Sequence, residues 1–124
     1  ITNFMIAVVS GLMLVFSTNL EPRDLVDEAF LRRIPYKIEV GGPSEQEFID
    51  LFVTLAGESN CACETASIRE LIARHYAPQN RPLRYCHPRD LLRQVRNYCE
   101  YHGAALEATA ATLDAAVRNY FAAL

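Results

Sequence analysis

Between Phe4 and Phe16, 11 of 13 residues are apolar, and this run limits the possible folds more than any other feature of the chain. It is too short to cross a membrane, which takes about 20 apolar residues, and Ser10-Gly11 interrupts it. Basic residues before it and a small-residue cleavage site after it would suggest a secretory signal; neither is in the sequence. The reading that remains is a buried strand, Leu12-Met13-Leu14-Val15-Phe16, running straight into the polar Ser17-Thr18-Asn19. A strand apolar on both faces belongs inside a parallel sheet covered by helices. Since the chain opens at Ile1 without a methionine, it is expected to be a piece of a larger protein.

Composition narrows the class. A chain of 124 residues holds one domain, or one small domain and part of another. With 51% apolar and 22% charged residues it can collapse, which excludes disorder. A net charge of −3 argues against nucleic acid as a partner, since that needs a cationic excess. The charge is uneven, however. Residues 81–103 carry five arginines against two acids, whereas residues 44–80 carry two cations against six acids. Eleven of the twelve cations are arginine, the side chain whose planar fork matches phosphate or carboxylate. A small anionic ligand fits that pattern better than a long polyanion. Cys61, Cys63, Cys86 and Cys99 lack the C-x₂-C spacing of a zinc site and are read as reduced, packed thiols of a cytoplasmic protein, with no metal.

Local signals divide the chain. Pro22 and Asp24 open a helix predicted over 25–33, with acids early and Arg32 and Arg33 at its end, and Pro35 stops it. Tyr36-Lys37-Ile38-Glu39-Val40 alternates as a strand, and Gly41-Gly42-Pro43 is a break. Helices follow. Ser44-Glu45-Gln46-Glu47 reads as a reciprocal capping box before Phe48, Ile49, Phe52, Val53 and Ala56, with Gly57 as the stop. A second helix is predicted over 64–76, with Ile68, Leu71, Ile72 and His75 inward and a Glu70–Arg74 pair outside. Pro88 begins a third, running to about His102, with Leu91, Leu92, Val95, Tyr98 and Cys99 on one side and Arg89, Arg93 and Arg96 on the other. The last is predicted over 113–121, and the alanine-rich 103–112 could extend either neighbour. The expected organisation is a strand-helix-strand segment over 1–41 and a helical unit over 42–124. The fold class is mostly α, a four-helix bundle preceded by part of an α/β domain.

The combination of Leu12-Met13-Leu14-Val15-Phe16-Ser17-Thr18-Asn19, Pro22 and Asp27-Glu28-Ala29-Phe30-Leu31-Arg32-Arg33-Ile34 resembles the second half of the ATPase module of the AAA+ family. There a buried strand ends in Thr-Asn, a helix ends in one or two arginines, and a strand leads to a small helical lid. The resemblance covers roughly 12–121, the helical part by layout more than by motif. It implies that Asn19 is the first sensor, placing the attacking water and touching the γ-phosphate, with Thr18 in support. It implies that Arg32 and Arg33 are arginine fingers reaching a neighbouring subunit's site, where a guanidinium offsets transition-state charge. Cations at a helix C-terminus are also stabilised by the dipole alone, by about 0.3–1 kcal/mol.

Arg89 is unusual on physical grounds, since a cation in the first turn of a helix faces the positive end of the dipole. An anion faced jointly by Arg89 and the helix N-terminus would account for it. The resemblance places the second sensor arginine here, although His87-Pro88 stands where the family usually has a small pair. Arg81, Arg84, Arg93 and Arg96 are read as solvated face or subunit contact. His75, His87 and His102 are read as structural.

The sequence has no G-x-x-x-x-G-K-[ST] loop and no strand ending in Asp-Glu to hold Mg²⁺. The expectation is therefore a C-terminal fragment of an AAA+ ATPase that uses ATP and Mg²⁺ in the parent protein and binds neither tightly by itself. By resemblance, the parent would act in a hexameric ring that remodels a macromolecule. The alternative is a non-enzymatic helical module using its arginine-rich face on an acidic partner. In the family's sheet, the strands holding Asn19 and Tyr36–Val40 flank the phosphate-loop strand. Without that strand, residues 1–20 are expected to rearrange, even to helix, or to self-associate through residues 4–16.

Overall fold

The computed structural model describes residues 2–9, 11–25 and 27–122. The chain is mostly helical with a small sheet and divides into two compact units, Ile1–Gly42 and Pro43–Leu124.

The first unit contains β1 (Thr2–Val9), β2 (Leu12–Thr18), two single-turn helices α1 (Pro22–Leu25) and α2 (Glu28–Leu31), and β3 (Tyr36–Val40). The long apolar run folds back on itself. β1 and β2 pair antiparallel from Asn3↔Thr18 to Val9↔Leu12, which leaves two residues for the connection. Gly11 in that turn takes φ +80°, a left-handed conformation that glycine reaches without a Cβ clash. β3 pairs antiparallel with the other side of β1, giving the order β2-β1-β3. The two outer strands thus run parallel to each other with β1 between them.

This corrects the expectation of a buried strand in a parallel sheet. β2 is an edge strand, with Leu12 67% and Met13 69% exposed. Apolarity on both faces asks for a cover on both faces, and helices of four residues cannot supply it. Among the described residues, the unit buries Met5, Ala7 and Ile34, with Leu31 packed against them. The helix predicted over 25–33 is also two helices. The Asp27 side chain accepts the Phe30 N–H at 2.7 Å, so Asp27 caps a new helix and does not continue the first.

The second unit is built from α3 (Glu45–Glu58), α4 (Thr65–His75), α5 (His87–His102) and α6 (Ala110–Phe121). A 3₁₀ turn at Ala77–Gln79 follows α4. α5 packs on α6 and α3, and α4 packs on α3 and α6. Phe48, Phe52, Ile68, Leu91 and Val95 are fully buried at the centre, a core spaced at helical intervals. Two short strands, β4 (Ala62–Cys63) and β5 (Glu107–Ala108), pair in parallel and tie the α3–α4 link to the α5–α6 link.

The helix ends are refined by tertiary partners. Ser44 Oγ accepts the Glu47 N–H at 3.2 Å, but the Glu47 carboxylate accepts from the Tyr85 hydroxyl at 2.9 Å, so the box at α3 is not reciprocal. A reciprocal box forms instead at Thr109 and Thr112, which fixes the start of α6 three residues before the predicted one. Gly57 lies within α3, and Asn60 takes the left-handed turn at φ 55°.

Candidate functional site

In the first unit, Thr18 and Asn19 lie at the carboxyl end of β2. Thr18 Oγ1 accepts the Leu20 N–H at 3.0 Å, which holds the chain as it leaves the strand, and Asn19 is exposed. Arg32 is the C-cap of α2, with Nη2 3.3 Å from Glu28 Oε1 one turn back. Both side chains of that pair are largely exposed. Arg33 follows, exposed and without a side-chain partner among the described residues.

The register separates these groups. Thr18 lies opposite Asn3, which lies opposite Glu39 near the end of β3. Arg32 and Arg33 precede Tyr36, which lies opposite Ile6, partner of Val15. Asn19 and the arginine pair therefore belong to opposite ends of the sheet. Arg89, the remaining predicted site residue, is exposed in the first turn of α5 in the second unit.

The helical unit holds a cavity of about 310 Å³ beside Arg89. Its walls are Leu55 and Glu58 from the end of α3, Ser59 and Cys61 just beyond, Arg89, Leu92, Arg93 and Arg96 along α5, and Leu106. Helical spacing puts the three arginines on one side, since positions i, i+4 and i+7 share a face. The opposite wall depends on Asn60, whose left-handed turn sends the chain back so that Cys61 is buried. The Ala62 N–H donates to the Leu106 carbonyl at 3.2 Å, which holds Leu106 beside it. Arg96 Nη2 donates to the Ser59 carbonyl at 3.4 Å and spans the two walls. Among the described residues, Arg89 and Arg93 have neither an ion-pair nor a hydrogen-bond partner. Burial, with Cys99 nearby, pushes the Cys61 thiol above its ordinary value, so it stays protonated. Cys63 rises to about 11 for the same reason, with Cys61 and Glu64 adding to the effect.

The sequence alone places Arg93 and Arg96 on a solvated face or at a subunit contact. Their spacing was visible, but the wall that turns the face into a cavity lies more than 30 residues earlier in the chain. Glu58 and Leu106 carry no such signal in the sequence, and Cys61 reads there only as a packed thiol.

The histidines have separate settings. His87 is buried among Tyr76, Tyr120 and Phe121, with Nδ1 2.9 Å from the Tyr76 hydroxyl. Burial, and then the Arg84 and Arg81 cations, lower it to about 4, so the ring is neutral at pH 7. His75 Nε2 is 2.6 Å from Asp114 Oδ1, and Arg74 is 3.0 Å from the other oxygen. The hydrogen bond from His75, helped by Arg74, holds the Asp114 carboxyl below its ordinary value. No serine or cysteine completes a nucleophilic arrangement with either histidine among the described residues. No three potential metal ligands cluster there either.

No curated protein and no solved structure matches the chain. A family profile does, over residues 44–119, which is more than half of the chain and lies wholly in the helical unit. The chain therefore belongs to the family described as Domain of unknown function (DUF8689).

Proposed function

We propose that this chain is the C-terminal part of an AAA+ ATPase module, carrying the sensor and trans-acting half of a nucleotide site and its helical lid. The observation that carries the reading is the arrangement of the first unit. A strand ending in Thr18-Asn19 runs parallel to β3 with one strand's place between them, and paired arginines precede β3. In the family that place belongs to the phosphate-loop strand; here β1 fills it, running antiparallel to both neighbours. The four-helix unit after Gly41-Gly42-Pro43 supports the same reading through its order in the chain.

ATP with Mg²⁺ supplies the phosphoryl group to be transferred. The Asn19 amide orients the attacking water, and Thr18 fixes the turn that presents Asn19. The arginine pair acts on a neighbour's nucleotide, because the sheet register keeps it away from Asn19 of its own chain. Arg32 and Arg33 both stand as fingers, since the exposed Arg32–Glu28 pair is too weak to withhold Arg32. Arg89, in the first turn of α5, is by the resemblance the second sensor arginine of the lid. The exposed β2 edge supports self-association of this chain through residues 4–16.

The test uses the full-length polypeptide. Arg33→Ala is expected to lower ATP turnover on the order of 10³-fold or more, as trans-acting arginines do in GTPases, while nucleotide binding persists. Arg32→Ala should likewise lower turnover while sparing nucleotide binding. Mixing Arg33→Ala subunits with subunits defective in the phosphate loop should restore some turnover; no recovery would end the trans assignment. The alternative of a non-enzymatic module predicts no turnover in the full-length protein at all.

A further inference from the structure

We infer that the cavity between α3 and α5 is a binding site for a small organic anion, with a phosphate or carboxylate head on Arg93 and Arg96 and an apolar body on Leu55, Leu92 and Leu106. This goes beyond the nucleotide reading and does not depend on it.

Three guanidiniums share one wall, and the only acid in the lining is Glu58. No ion pair within 4.0 Å joins Glu58 to any of them among the described residues. On an open helix face, water would solvate such a row and nothing would follow. Here the row faces a recess floored by buried Leu92 and Cys61 and half-buried Leu55 and Leu106. The three exposed guanidiniums border one apolar recess, so an anion seated there meets several cations at once while its body leaves water. Guanidinium forks match the oxygens of carboxylate and phosphate in geometry as well as in charge.

Size and shape restrict the ligand further. A volume of about 310 Å³ is at the lower end for small-molecule sites and too small for a folded partner. The lining combines guanidiniums with Leu55, Leu92 and Leu106, so a ligand with one charged end and one apolar end suits it. The bond from Arg96 to the Ser59 carbonyl orders one guanidinium before any ligand arrives. Less side-chain freedom is then lost on binding. Glu58 at the rim works against an anion and sets a limit on affinity.

Titration calorimetry on the 124-residue chain, with methyl chemical shifts as a second readout, tests the site. Phenyl phosphate and benzoate are the organic probes, with inorganic phosphate and benzyl alcohol as comparisons. One or both organic anions should bind and shift the Leu55 and Leu106 methyls. Whichever binds tighter identifies the head group. Inorganic phosphate should bind more weakly, and benzyl alcohol should not bind measurably. Arg93→Ala with Arg96→Ala should weaken the organic anion about tenfold or more through the lost charge-assisted hydrogen bonds. These residues are exposed, so the fold should persist, and a thermal melt checks that. Glu58→Gln should tighten binding several-fold, which a purely structural role for Glu58 would not produce. The inference is overturned if neither organic anion binds, if inorganic phosphate binds as tightly, or if the double variant binds like the native chain. Because the probes contain no nucleoside and Arg93 and Arg96 have no part in the ATPase reading, such a failure would leave that reading standing.

Discussion

Leu12 and Met13 in the sheet unit keep 67% and 69% of their surface in water, whereas Phe48 and Phe52 in the helical unit keep none. β2 is the more apolar of the two segments, so hydrophobicity does not explain the contrast. The supply of partners does. Each long helix from α3 to α6 offers a single apolar stripe, and four stripes facing inward close one core. β2 is apolar on both faces and along its free edge, and three strands with two single-turn helices cannot enclose it. A helix satisfies its own backbone and needs a neighbour on one side only. A strand of this kind needs neighbours in three directions.

The sharpest way to break this contrast is substitution at matched aromatics. Phe52→Ala should destabilise the helical unit by about 3–5 kcal/mol, since a fully buried ring leaves a cavity. Phe16→Ala, at an exposed edge position, should change stability by less than about 0.5 kcal/mol. Chemical denaturation of both variants checks this, and equal losses would refute the difference between the units.

The helical core should also have a pH signature that the sheet unit lacks. His87 titrates near 4 in the folded chain against about 6.5 unfolded, so the unfolded state takes up a proton first as pH falls. Stability is then full above about pH 6.5, falls by about 3 kcal/mol on the way to pH 4, and levels off below that. Thermal melts from pH 7 to pH 4 should show the fall, and His87→Gln should flatten it.

The sheet edge should respond to charge rather than to cavities. Sedimentation is expected to show self-association that is lost on deleting residues 1–18. Met13→Lys should weaken it on the order of tenfold, because a lysine on an edge strand opposes pairing with a second chain. A monomer at all concentrations would remove the proposal. The smallest effect belongs to the exposed Glu28–Arg32 pair. Its double-mutant coupling should be about 0.3–0.5 kcal/mol and should vanish at high salt.

Much of the helical unit was legible because its signals are local. Ser44 at the start of α3, Pro88 in the first turn of α5 and the Glu70–Arg74 pair each act within one turn. Leu91, Leu92, Val95 and Cys99 were readable as an inward face, since helical periodicity shows which side of a helix is apolar. The stop at Gly57 was misplaced because any residue tolerant of a left-handed turn can end a helix, and Asn60 was the one used. The single helix over 25–33 failed because one side chain, Asp27, outcompeted its continuation.

By itself the sequence determined the four long helices of the second unit, to within a few residues at their ends, and which of their stripes are apolar. All of these depend on residues a few positions apart. Only the tertiary structure decided that the 4–16 run folds back as a hairpin, that Glu47 answers to Tyr85, that His87 is buried and neutral, and that Arg93 and Arg96 face a cavity. Each of those outcomes depends on a partner whose distance along the chain is unrelated to its distance in space. A side chain's charge state and surroundings are set by whatever the folded chain brings beside it, and periodicity carries no information about that.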